Sequence, residues 1–360
     1  MNNIGRFLLL AGLVFNFVPV SRAMLVNITY DATVTNLMNP AQVQPAVAAV
    51  VQWLQNQYTN PITVNITVAF SSGVSLGQSE FSLIGKTYTQ LTNALNSRRV
   101  SAADFSSVAS LPASDPTGSS TWYVPRAECK ALGLSGVGSN DTNTDGTVTF
   151  SSTVSYTFDP TNRAVAGKFD FIGVVQHEIT EVMGRVYLLN NGITGYAPYE
   201  LFRFTSPGVR SFSLTANNAY FSVDNGATVQ KYFYTNANFG DLQDWLSSTS
   251  ADAFDAFVSS GKQLVTSTAD VLSLDILGYN MPVNPTPLLT GARLANGSFR
   301  LNFNTLANTS FTVVATTNLA LPLASWTVLG AATEFSTGTY QYTDVQASTG
   351  QQRFYRVKSP

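Results

Sequence analysis

The sequence predicts an α+β chain in two parts: a larger domain on a mixed, twisted sheet, followed by a small all-β sandwich. Three observations predict this. The chain opens with strand-, helix- and strand-type periodicity in succession. An amphipathic helical segment with an unusual acidic motif lies near its middle. Behind a proline-rich stretch, short β-type runs recur at regular spacing to the end of the 360 residues.

Residues 1–23 read as a secretory signal, with Arg6 as the basic start, Phe7 to Val20 as the apolar stretch and Ser21-Arg22-Ala23 at the cleavage position. Leu25–Tyr30 alternates apolar and polar residues and predicts a strand. Val43, Val47, Val51 and Leu54 recur at three- and four-residue steps and predict a helix over Pro40 to Tyr58. Ile62 to Phe70 alternates again. A strand, helix and strand joined by a right-handed crossover would start a mixed sheet. Residues 83–110 are expected to be helical or irregular. Thr147 to Phe150 and Val154 to Tyr156 read as strand. Asp170 is placed to cap a helix running to Met183, and Gly184 suits its C-terminal end. Pro198 to Val209 reads as a buried strand-like run ending in a turn, and Asp224-Asn-Gly226 as a hairpin. Ala251 to Ser259 and Ala269 to Leu277 are expected to be short helices. A linker at 284–288 divides a domain at 24–283 from a β-sandwich at 289–360, whose strands are expected near Phe299, Ser310, Trp326, Tyr340 and Arg353.

Only 11% of the residues are charged and the net charge is −2, which argues against nucleic-acid and acidic-membrane partners. The single cysteine, Cys129, excludes an internal disulfide and is expected to be an ordinary structural residue. Asn140-Asp-Thr-Asn-Thr-Asp-Gly146 resembles part of a calcium loop but lacks the later acidic ligand, so Ca²⁺ is an expectation beside the plainer one of a polar turn.

The middle helix carries the chemistry. Its apolar stripe is Ile172, Val175, Ile179, Val182 and Met183; His177, Glu178 and Glu181 fall on the other side. His177 is the only histidine in the chain, and Glu181 lies one helical turn after it. An imidazole nitrogen and a carboxylate oxygen at that spacing can both bind Zn²⁺. Glu178 would then stand beside a metal-bound water and act as general base. A catalytic zinc takes three protein ligands and keeps one position open. Glu200, 23 residues after His177, is the preferred third ligand, because a carboxylate need not first lose a phenolic proton; Tyr187 is the alternative. Glu200 could instead be a structural acid paired with Arg203 or Arg185. Asp224, Asp241 and Asp244 are weaker candidates. Two carboxylates and one histidine would make a poorer Lewis acid than two histidines.

The run Phe169 to Gly184 resembles the active helix of metzincin-like secreted metallopeptidases, whose motif is HExxHxxGxxH. His177, Glu178 and Gly184 match that motif, Glu181 departs at the second ligand and Tyr187 at the third. The chain more closely resembles a bacterial group of secreted metalloproteases carrying HExxE, through Leu201-Phe-Arg203, Ser206-Pro-Gly208, Gly240-Asp241 and Asp244-Trp245. The resemblance covers about residues 25–281. It implies a metzincin-like fold and a secreted zinc endopeptidase acting on proteins or peptides. No segment after the leader approaches membrane-spanning length, so no stable membrane insertion is expected once the leader is removed. The C-terminal segment resembles small β-domains appended to secreted bacterial proteins, which implies cell-surface or polymer contact. Two alternatives stay open: a catalytically degenerate secreted binding protein, and a calcium-bound adhesin.

Overall fold

Alternating β-branched residues build the first two strands, β1 (Leu25–Tyr30) and β2 (Thr63–Ser71), which pair in parallel with Val26 opposite Val64 and Ile28 opposite Ile66. The computed structural model describes residues 24–118, 121–189, 194–247, 251–282, 289–304, 310–336, 338–349 and 352–358. The expected leader and the linker at 284–288 lie outside the described residues. The protein is mixed α+β and divides into two compact units between Pro282 and Val283.

Between β1 and β2 runs α1 (Pro40–Gln57). Asn39 caps it by accepting from the Ala41 amide, and Pro40 occupies the first turn, where no N–H is needed. Val43, Val47, Val50 and Leu54 are its buried stripe. The sheet is completed by β3 (Gly77–Phe81) and β4 (Gly146–Ser151) in the order β1-β2-β4-β3. β4 is parallel to β2, and β3 is an antiparallel edge strand. The expected sequence reading contains no strand at 77–81, because Gly77-Gln-Ser-Glu-Phe81 is polar and none of its residues is fully buried. Edge strands carry little of the alternation that marks inner ones.

The helix α2 (Phe171–Val182) packs against β3, β4 and α1. Every residue of it except His177 is buried, so it is a core helix rather than a half-exposed amphipathic one. Asp170 stands at its N-cap, but its carboxylate does not cap the helix. It is taken by the Arg163 guanidinium and the Leu264 amide instead. Gly184 ends the helix at φ +125°, a conformation that a β-carbon disfavours.

Two of the expected segments take another form. Pro198–Phe202 is a 3-10 turn, and only Arg203–Ser206 after it is strand. Residues 251–259 are not helical: they form turns held by isolated bridges between Trp245 and Asp255 and between Asp252 and Val265. Asp252 turns the chain there by accepting the Phe254 amide, a local bond that competes with helix formation. The last helix of the unit, α3, spans Thr268–Asp275.

Among the described residues, the second unit holds two antiparallel sheets, one of four strands and one of three. Phe303, Phe311 and Tyr340 form its buried cluster, with Val357 packed against it.

Candidate metal centre

Helical spacing puts His177 and Glu181 one turn apart on the face of α2 that is turned to a cleft of about 640 Å³. The cleft is walled on one side by the 73–79 segment leading into β3 and on another by residues 253–258. A third candidate ligand, an acid, arrives from far along the chain. His177 Nε2 lies 3.4 Å from Glu181 Oε1 and 3.4 Å from Asp244 Oδ1. These three residues form the one His/Cys/Asp/Glu group among the described residues whose ligand atoms all converge, within 4.8 Å of one another. Two ligands about 2.0–2.1 Å from one tetrahedral ion lie about 3.3–3.4 Å apart, so the two spacings from His177 suit a zinc-sized cation.

The surroundings aim these atoms. His177 Nδ1 lies 2.9 Å from the Ala253 carbonyl oxygen. A carbonyl only accepts, so Nδ1 carries a proton; in the metal-free protein Nε2, facing two carboxylates, carries one as well, and a metal would have to displace that proton to use the Nε2 lone pair. Glu181 Oε2 accepts from the Ser79 hydroxyl at 2.7 Å, which leaves Oε1 facing the histidine. Oε1 also accepts from the Gln243 amide at 3.0 Å. Arg185, fully buried, donates to Asp244 Oδ1 at 2.6 Å, approaches Glu181 Oε1 at 3.4 Å and lies over the Phe254 ring at 4.3 Å.

These charges set the protonation states. Burial opposes a charge on His177, but Asp244 and Glu181 outweigh burial and the repulsion of Arg185, and the imidazole is pushed up to about 10. Burial raises Glu181, but its bonds with His177, Arg185 and Ser79 hold it down at about 2. Burial, with the repulsion of Glu181 and Asp244, pushes Glu178 well above the usual carboxylate range. The Glu178 carboxylate lies against β3, and a side-chain carbon on Gly77 would overlap it. Glu178 therefore faces the same cleft without joining the ligand group.

Two expected ligands are elsewhere. Glu200 is fully buried and accepts the backbone amides of Leu188 (3.0 Å), Leu189 (2.9 Å) and Ala197, so it closes a loop rather than reaching the metal group. Nor does it take up the alternative pairings. Arg203 donates to Ser211, Ser213 and Ala216, and Arg185 pairs with Asp244 and Glu181. Tyr187 is fully buried, its ring packed on Tyr199 and Phe233 at 5.2 and 5.1 Å, and burial raises its hydroxyl far above the range where a phenolate forms. The residue that joins the group is Asp244, which sequence reasoning ranked low. The Asp-Trp pair at 244–245 was its one signal. Ser79, Gln243 and the Ala253 carbonyl left no signal, since each reaches the site only through the fold.

The calcium expectation meets a different arrangement. The Asp141 carboxylate pairs with Arg126, and Asp145 with Lys130 at 2.6 Å and Arg126 at 3.3 Å, so side-chain cations already neutralise that loop. Asp224 caps its own turn through the Thr228 amide at 2.8 Å. Cys129 is buried, and burial pushes its thiol up to about 12. Among the described residues no helix is long and apolar enough to cross a membrane. In comparisons with protein-family models, curated proteins and solved structures, nothing matches this chain.

Proposed function

We propose that residues 24–282 form a secreted, zinc-dependent hydrolase of metzincin-like type that cleaves peptide bonds, with His177, Glu181 and Asp244 as the metal ligands. The convergence of His177 Nε2, Glu181 Oε1 and Asp244 Oδ1 on one point of an open cleft carries this reading. The donor set fits zinc, since one imidazole and two carboxylates are all legitimate ligands and the cleft leaves an open side. When bound, zinc would polarise a substrate carbonyl and acidify a water molecule. Glu178 is the group that would take a proton from the attacking water and later return it to the leaving amine. Burial and the repulsion of Glu181 and Asp244 raise its carboxyl in the metal-free protein, and a cation bound in the same cleft would favour the ionised form that a base needs. The edge strand β3 beside α2 supports the metzincin-like arrangement.

The test is zinc content and peptidase activity of residues 24–360, beside two variants. Wild type is expected to hold about one zinc per chain. Asp244→Asn should lose the zinc, and Glu178→Gln should keep it while activity falls by about 10²-fold or more. Full activity in Glu178→Gln, or no zinc in wild type, would overturn the reading.

A second reading is favoured by one observation: Arg185 and a protonated His177 already neutralise Glu181 and Asp244 without any metal. On that reading the chain is a degenerate peptidase-like binding protein whose second unit contacts cell-surface polymers. A metal-free wild type whose residues 283–360 bind cell-wall polysaccharide would support it.

A further inference from the structure

We propose that Arg185 is the positioning residue of the metal site and offsets the extra negative charge that Glu181 brings in place of a second histidine. The inference rests on the metal reading above. A set of one neutral imidazole and two carboxylates carries two negative charges, whereas two imidazoles and one carboxylate carry one. The Arg185 guanidinium restores that balance from within the protein. It is fully buried and reaches the same oxygens that face His177: Asp244 Oδ1 at 2.6 Å and Glu181 Oε1 at 3.4 Å.

The rest of the guanidinium is fixed as well. Nη2 donates to the His177 carbonyl at 3.2 Å and Nε to the Thr180 hydroxyl at 3.2 Å, while the Phe254 ring covers its face. Thr180 in turn donates to the Gln176 and His177 carbonyls, each at 2.9 Å. The planar fork is thus tied to α2 behind the site, with two of its nitrogens turned to the two acids. A lysine would supply the charge without the fork. Without Arg185, two like charges would face each other beside an open cleft, and Asp244 would lose its closest cation. With it, Asp244 Oδ1 and Glu181 Oε1 are both held by the arginine while still facing His177, and Glu181 Oε1 accepts from Gln243 as well. A fixed positive charge behind the ligands also leaves a bound divalent cation less neutralised, which favours polarisation of whatever it binds.

The test compares wild type, Arg185→Lys and Arg185→Gln in the full mature chain, loaded with zinc or cobalt. The readouts are metal affinity by chelator competition and the visible absorption of the cobalt form, which reports the ligand geometry. Arg185→Gln is expected to bind zinc 10- to 100-fold more weakly, the range typical for loss of an outer-shell partner. Its cobalt absorption should weaken as the carboxylates relax, and Arg185→Lys should restore the affinity only in part. If Arg185→Gln does not fold, Arg185→Lys alone decides, through an altered cobalt spectrum. Unchanged affinity and spectrum in the variants, or tighter zinc binding as for an arginine that only competes with the metal, would overturn the proposal while leaving the metal reading intact. Wild type that takes up neither metal would overturn both.

Discussion

At the scale of single residues, the site works by division of labour between carboxyl groups of similar chemistry. Glu181 is held ionised by cations, Asp244 pairs with Arg185 while burial raises its carboxyl, Glu178 is driven toward the protonated form by burial, and Glu200 is spent on backbone amides. Substitutions should separate these roles. Asp244→Asn breaks a buried ion pair and leaves Arg185 with less compensation, so a loss of about 3–5 kcal/mol in unfolding free energy is expected in the metal-free protein. Glu200→Ala should cost about 2–5 kcal/mol by orphaning buried amides, yet leave zinc stoichiometry unchanged. Denaturant unfolding and metal analysis on the same two samples would check both, and zinc loss in Glu200→Ala would return that residue to the ligand set. His177, Glu178 and Glu181 were readable because helical spacing is local and the side chains of one turn share a face. Asp244 was not, because nothing in the chain between positions 181 and 244 tells which distant carboxylate folds back.

At the scale of elements, the close approach of β3 to α2 depends on one glycine. Gly77 leaves the space in which the Glu178 carboxylate sits. Gly77→Ala is therefore expected to displace Glu178 and reduce catalysis by at least tenfold, with zinc retained and a stability change near 1 kcal/mol. Steady-state kinetics beside metal content would test it, and unaltered kinetics would show that Glu178 has another place to go. The inner strands and α1 were legible from their alternation and three-to-four spacing. The edge strand was not, since its outer side faces no core. The 198–209 run misled for a related reason. It is apolar enough for a strand, but Glu200 captures the amides of 188, 189 and 197 and winds the chain into a 3-10 turn. Apolar content alone does not distinguish those outcomes.

At the scale of the whole molecule, acids buried far from the cleft should govern stability. Burial, then the neighbouring Asp104, pushes Asp275 up to about 7, against the Ser101 hydroxyl at 2.5 Å and the Met281 amide at 3.3 Å. The Tyr58 ring system faces the same acid from α1's end, and its hydroxyl is raised by burial first and by Asp275 second. The folded protein then binds a proton that the unfolded chain, with an ordinary value of 3.8, releases between about pH 4 and 7. Stability should accordingly fall as pH rises through that window and level off above it, by at most about 1.4 kcal/mol per pH unit for this one group. Asp275→Asn, which resembles the protonated acid, should flatten the slope; an equally steep profile in the variant would assign it to other groups. The division near residue 283 was legible from the proline run and the change to short β periods, while the pairing of the strands within each sheet was not. The turn at 251–258 has a wider consequence. The same few residues line the entrance and, through one carbonyl oxygen, point the only imidazole. Any change that remodels the doorway to admit a bulkier guest also re-aims the ring inside, so breadth of access and sharpness of aim are set by one short stretch of chain and trade against each other.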